Sequence, residues 1–207
     1  MWPEVRAQLA AHVDEIKVGD VRDFTNLLGA VIDDRAFARH KAAIEQAREA
    51  VGGQIAEVLG GHCDDSKGYF VHPTVIVTND PHSPTMETEL FGPILTVYPY
   101  DDDAFEETLA LCDNTGPYAL TGCIMARERE AVAVAVEALR FSAGNFYVND
   151  KPTGAVVGQQ PFGGGRKSGT NDKAGAIINL MRWVSPRTIK ETFAPPTSVP
   201  YPYMRES

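Results

Sequence analysis

Cysteine is scarce in this chain. Its 207 residues hold three, Cys63, Cys112 and Cys123, odd in number and far apart. That excludes a disulfide framework and a paired zinc-ligand motif, and it points to a reducing compartment. Long apolar runs are also missing. None approaches the roughly 20 residues that cross a bilayer, and the stretch 131–139 carries Glu137 and reads as a packed helix. The opening Met1-Trp2-Pro3-Glu4-Val5-Arg6 has no basic flank before an apolar stretch. No secretory signal is therefore expected, and the cytoplasm is the expected location. Basic charge is in deficit: 19 Lys and Arg stand against 28 Asp and Glu, a net charge of −9. With no basic patch to offset it, nucleic acid is not an expected partner, and neither is a membrane.

What is present is the composition of a folded protein, with 43 % hydrophobic and 23 % charged residues. Helical and extended patterns alternate along it. Residues 2–16 place Val5, Leu9, Ala10 and Val13 at helical spacing, with Pro3 tolerable in the first turn. Asp33 or Asp34 is a fitting cap for a second helix to about residue 50, which Gly52-Gly53 stops. Short strands are expected at 54–59, 70–77 and 94–100, with a helical turn at 83–89. Asp101-Asp102-Asp103 reads as the cap and first turn of a helix rather than a metal site, because no further ligands follow at calcium-loop spacing. A buried strand at 120–126, a helix at 128–141 and a strand at 145–148 complete two βαβ units. An α/β fold with a largely parallel sheet and right-handed crossovers follows. The glycine-rich stretch 151–170 is too rich in breakers for regular structure, and a loop that long is usually functional. Beyond a short helix at 176–180, the segment opening on Arg182 and closing on Phe193 reads as an extended strand that Pro186 keeps from the centre of a sheet.

No complete catalytic set is visible in the residues themselves. Gly163-Gly164-Gly165-Arg166-Lys167-Ser168-Gly169 fails as a phosphate loop, because Arg166 separates the last glycine of the run from Lys-Ser. A tight, backbone-driven turn is the better reading. His62-Cys63-Asp64-Asp65 lacks a second ligand pair and reads as a surface loop. Cys63 precedes two aspartates, Cys112 lies at a helix C-terminal end, and Cys123 lies in a strand, so none has the cationic setting that activates a thiolate. There is no Gly-x-Ser-x-Gly elbow. Two motifs remain, Glu89-Leu90-Phe91-Gly92-Pro93 and Pro161-Phe162-Gly163-Gly164.

Together, in this order and on this strand and helix pattern, those motifs resemble the aldehyde dehydrogenase superfamily. Ser168-Gly169 continues into Thr170-Asn171-Asp172-Lys173 instead of the Gly-Arg-Glu of many members. That stretch, with 144–151, 153–162 and 186–192, resembles the pyrroline-5-carboxylate (L-glutamate γ-semialdehyde) dehydrogenases. The likeness runs from about Trp2 to Phe193. It implies NAD as cofactor and L-glutamate γ-semialdehyde as substrate, in proline breakdown. It also implies covalent chemistry: a cysteine attacks the aldehyde, hydride passes to nicotinamide, and water activated by a glutamate frees the acid.

The resemblance assigns Glu89 to the nicotinamide ribose hydroxyls and Phe91 to the side of that ribose. It assigns the backbone of Gly154 and Ala155 to the substrate's α-carboxylate and Phe162 to its aliphatic stem. It assigns 182–193 to a strand that joins a neighbouring subunit, so a homo-oligomer is expected. The nucleophilic cysteine, the base glutamate and the cofactor domain of the family fall upstream of Met1, so no catalytic residue and no metal site is expected here. Residues 1–181 are then the C-terminal part of a catalytic domain, 182–193 an oligomerisation strand and 194–207 an irregular tail. Two other readings stay open: a non-catalytic module that binds subunits through its last strand, and a small enzyme using Cys63 or Cys123.

Overall fold

The structure, a computed structural model, describes residues 1–156 and 158–204. Helix α1 (Trp2–Glu15) carries proline in its first turn and buries no residue fully. Leu9, Ala10 and Val13 are half-buried, but Val5 of the expected apolar stripe is exposed. An ion pair fixes this helix to the sheet: Arg6 Nε donates to Glu57 Oε2 at 2.7 Å, and its Nη2 also reaches Glu57. The hydrogen bonds from Arg6 hold the Glu57 carboxyl below its ordinary range. Helix α2 (Asp34–Glu49) follows the sequence closely. The Asp33 carboxylate accepts from Ala36 N–H at 2.7 Å, satisfying one of the orphan donors of the first turn. Ala36, Phe37, His40, Ile44 and Ala47 form its buried face, at spacings of three and four.

Strand β1 (Ile55–Gly60) leads to a small hairpin of β2 (Cys63–Asp64) and β3 (Phe70–Val71), and then to β4 (Thr74–Thr78). The single strand expected at 70–77 is thus divided. Pro73 has no N–H to give a ladder, and the chain changes sheet at His72-Pro73. Strand β4 is buried at every position and lies between β1, antiparallel, and β5 (Ile94–Val97), parallel. Its threonine hydroxyls are satisfied: the single Thr78 Oγ1 proton is shared between the Gln54 and Asp80 carbonyls while Oγ1 accepts from Asp80 N–H, and Thr74 Oγ1 donates to the His72 carbonyl. A four-residue helix α3 (Pro84–Glu87) precedes β5. Two packed groups cover this sheet. Phe37, Ile44 and Val71 form one, and Ala47, Ile55 and Ile76 the other.

The second half begins at α4 (Phe105–Asn114), and here the capping expectation is corrected. Ala104, not an aspartate, is the N-cap, with no side-chain bond to the helix. The aspartates sit one turn earlier, where Ala104 N–H closes a turn onto the Asp101 carbonyl. The strand expected at 120–126 is shorter, β7 (Thr121–Ile124), and half-buried rather than buried; a separate two-residue strand, β6 (Tyr118–Ala119), precedes it. Helix α5 (Arg129–Ala138) crosses over to β8 (Asn145–Val148), which pairs β7 in parallel. This second βαβ unit matches the expectation. In the first, β5-α4-β7, the two strands do not pair. Leu109, Ala135 and Leu139 form a third packed group under β7 and β8. Among the described residues, no hydrogen bond, ion pair or strand pair joins residues 1–100 to residues 101–204.

Two further expectations need correction. The two-residue strand β9 (Gly165–Arg166) pairs β6 inside the glycine-rich stretch. The strand expected over 182–193 is not one: after α6 (Ile177–Leu180) and a 3-10 turn at Met181–Trp183, residues 184–192 make no ladder. A strand exists only through its neighbour's hydrogen bonds, and none is beside it. Ile189 is 74 % and Phe193 90 % exposed. The region 194–207 extends past the described residues at 205–207.

Candidate functional site

Two loops carry the residues singled out by sequence. The first is the turn 89–93, between α3 and β5. Glu89 is exposed, and among the described residues its carboxylate makes no hydrogen bond or ion pair. Phe91 is 85 % exposed and adopts φ +60, a conformation that costs a non-glycine residue about 1 kcal/mol or more. Something must hold it there. The Leu90 carbonyl accepts from His40 Nε2 at 2.9 Å and from Arg39 Nη2 at 3.2 Å. On the far side, Thr74 N–H donates to the Pro93 carbonyl at 2.9 Å, which sets the turn in register with β4.

The second is the loop 151–163, held against the ends of β7 and β8. Asn145, at the start of β8, is buried. Its Nδ2 donates to the Pro161 carbonyl at 2.9 Å and its Oδ1 accepts from Gly163 N–H at 3.2 Å. Two residues on, the same strand face presents Tyr147, whose hydroxyl donates to the Thr153 carbonyl at 3.1 Å. Phe162 is half-buried, and its backbone exchanges two hydrogen bonds with Ala174. Lys173 reaches back to the Gly144 carbonyl and, at 3.3 Å, to that of Gly163. Gly144 itself is packed so closely that a Cβ there would lie 2.0 Å from the Gly163 carbonyl oxygen. Gly154 and Ala155 lie on the open part of this loop, and among the described residues their N–H groups make no hydrogen bond. The structure does not join the two loops by any hydrogen bond or ion pair among the described residues.

The run 163–169 is the backbone-driven turn expected from its spacing. Arg166 is spent on Asp113, with Nη1 2.6 Å from its carbonyl and Nη2 2.5 Å from its carboxylate. Ser168 Oγ accepts from Ala119 N–H at 3.0 Å. The Arg166 guanidinium is thus engaged by Asp113 rather than turned to a phosphate. The three thiols sit in different settings. Burial raises Cys63 above its ordinary range despite Arg48 and Lys41 nearby, and burial raises Cys112. The Cys123 S–H donates to the Asp150 carbonyl at 2.7 Å. His62 and His72 meet edge to face, 5.1 Å between ring centres, and burial, then the charge of His62, lowers His72. Among the described residues no group of three or more His, Cys, Asp or Glu is arranged to hold a metal ion.

Sequence reasoning missed four residues that build these loops: Arg39 and His40 for the first, Asn145 and Lys173 for the second. Lys173 had a signal, being part of the Thr-Asn-Asp-Lys run where Gly-Arg-Glu is the commoner continuation. Asn145 read as a strand residue within the run 144–151, and His40 was not singled out within its helix.

The aldehyde dehydrogenase family profile matches residues 1–189. The mitochondrial delta-1-pyrroline-5-carboxylate dehydrogenase of Dictyostelium discoideum is 53 % identical over 204 residues, covering 99 % of this chain and 36 % of that protein. The human protein of that name is 48 % identical over 206 residues, with the same coverage. Among solved structures, the delta-pyrroline-5-carboxylate dehydrogenase of Mycobacterium tuberculosis bound with NAD is 51 % identical, with a TM-score of 0.80 over 98 % of this chain and 36 % of that one. The Thermus 1-pyrroline-5-carboxylate dehydrogenase with bound NAD is 36 % identical, with a TM-score of 0.71 over 86 % of this chain. The chain spans about a third of the length of the curated relatives it matches.

Proposed function

This chain belongs to the aldehyde dehydrogenase family, and we propose that it supplies the ribose-holding and substrate-anchoring third of an NAD-dependent L-glutamate γ-semialdehyde dehydrogenase. The observation that carries the proposal is the pair of braced loops, each presenting unspent groups, in a chain about half identical to pyrroline-5-carboxylate dehydrogenases over nearly all its length. NAD, when bound, takes up the hydride lost by the aldehyde carbon. The chain's own part is binding. The Glu89 carboxylate is a pure acceptor, unoccupied and exposed, and it suits two ribose hydroxyl donors. Phe91 stands beside it, turned outward by its positive φ. The free N–H groups of Gly154 and Ala155 suit a carboxylate, and glycine lets the backbone approach closely. Phe162 offers its ring to an aliphatic stem.

Association is the second part of the proposal. The exposed apolar residues Trp183, Ile189 and Phe193 lie on a segment without a ladder, and a second copy of the chain is the partner that completes it. A purely non-catalytic subunit-binding module is the alternative that this same segment favours. Three free cysteines suit a reducing compartment, cytoplasmic in the simplest case. Among the described residues no helix is long and apolar enough to cross a membrane.

Turnover should be absent from this chain alone, because burial raises the Cys63 and Cys112 thiols and the Cys123 S–H is engaged by the Asp150 carbonyl. Purified chain, NAD and glutamate semialdehyde should give no NADH absorbance. Adding the remaining two thirds of a relative as a second polypeptide should restore it. NADH formed by the chain alone, and lost in Cys63→Ala or Cys123→Ala, would sink the proposal. In the restored enzyme Glu89→Gln should weaken NAD about tenfold, since a charge-assisted acceptor becomes a mixed donor and acceptor. Titration of NAD with the aldehyde saturating reads this, and unchanged affinity counts against Glu89.

A further inference from the structure

We propose that His40 is a positioning residue for the cofactor turn. From α2 its imidazole, with Arg39 beside it, grips the Leu90 carbonyl and so keeps Phe91 at positive φ and Glu89 facing the ribose. This rests on the reading of Glu89 and Phe91 as the cofactor face.

The ring is fully buried, 0 % exposed, on the helix face that otherwise carries Phe37 and Ile44. A histidine in an apolar stripe is an expensive choice unless its nitrogens are used. One is used, Nε2 against the Leu90 oxygen at 2.9 Å, and Nδ1 has no partner. That pattern selects the tautomer with the proton on Nε2. The other tautomer would aim a lone pair at a carbonyl oxygen and bury an unpaired N–H as well. The contact is also shaped. A Cβ on Gly92 would lie 2.5 Å from His40 Cε1 and Nε2, so the backbone after Phe91 rests directly on the ring. Residues 90–92 are therefore held from two sides by one imidazole: a hydrogen bond at Leu90 and a steric floor under Gly92. Phe91 lies between them at φ +60. Glu89, one residue before the gripped carbonyl, inherits its direction from that anchor.

Chymotrypsin tests the grip in the 207-residue chain. The protease binds extended backbone, which Phe91 does not offer, so cleavage after Phe91 should be slow beside cleavage after Phe24 and Phe193, which are 97 % and 90 % exposed. In His40→Leu the Phe91 cut should accelerate about tenfold, the loss of one buried hydrogen bond. The Phe24 and Phe193 cuts should keep their rates. His40→Gln, which retains a donor, should recover much of the protection. Ile44→Val loosens the same packed group without touching Leu90, and it should leave the Phe91 cut unchanged. In the restored enzyme His40→Leu should raise KM for NAD about fivefold with KM for the aldehyde within twofold. A Phe91 cut unaffected by His40→Leu, or equally fast in Ile44→Val, overturns the grip. A faster cut with unchanged KM for NAD overturns the positioning role. A restored wild-type enzyme that makes no NADH overturns the dehydrogenase reading and the cofactor role with it, while the cleavage rates still decide the grip.

Discussion

Gly144→Ala should unlatch the loop 151–163 and cost about 3 kcal/mol of stability, the upper range for forcing an atom into a packed site. The new methyl would meet the Gly163 carbonyl oxygen at 2.0 Å and Gly164 Cα at 2.7 Å. Both are backbone atoms, so no side chain can swing aside. Relief requires Gly163 to move. That movement breaks the Gly163 N–H bond to Asn145 and the Lys173 contact to its carbonyl. Gly154→Ala is the control, because a Cβ there meets nothing within 4 Å and the backbone is not in the left-handed region. Thermal melts of both variants, with limited proteolysis of the loop, make the comparison. A Gly144→Ala protein that melts with the wild type and protects its loop would show that this packing is not what holds the loop.

The isolated chain should self-associate at micromolar concentration. Among the described residues β5 pairs only β4, and β7 and β8 pair only each other, so the outer edges of β5, β7 and β8 stand open. Leu95 on β5 is 51 % exposed, and Leu120 and Met125 flank β7 at 39 % and 65 %. Open edges with apolar neighbours recruit further strands, and a charge on the exposed strand discourages this. Leu95→Lys should therefore shift sedimentation toward the monomer. The two halves should also lose structure separately, because their packed groups share no residue. Leu109→Ala, a substitution worth ~2–5 kcal/mol in a packed core, should release amide protection in β7, α5 and β8 and leave β4 protected. A monodisperse monomer with one sharp transition would instead mark the chain as a single cooperative domain.

Features set by near neighbours in the chain were legible from residue order. Asp33 caps α2 because its carboxylate reaches an N–H three residues away. Its buried face follows from 3.6-residue periodicity, and β8 from a short β-prone run between breakers. The two motifs were legible as a pattern, but the setting of Cys63 was not: Arg48 and Lys41 lie near it in the fold, and it is burial that raises the thiol. Tertiary structure decided whatever depends on a partner far along the chain. Whether 182–193 is a strand depends on a neighbour that the residues of the segment do not encode. Whether β5 meets β7 depends on which strands enter the sheet, not on the crossover between them. The grip on Leu90 joins residues 50 apart, and the Asn145 bond to Pro161 joins residues 16 apart. His40 and Asn145 look ordinary in sequence, because a buried polar group shows its purpose only when the group opposite it is known.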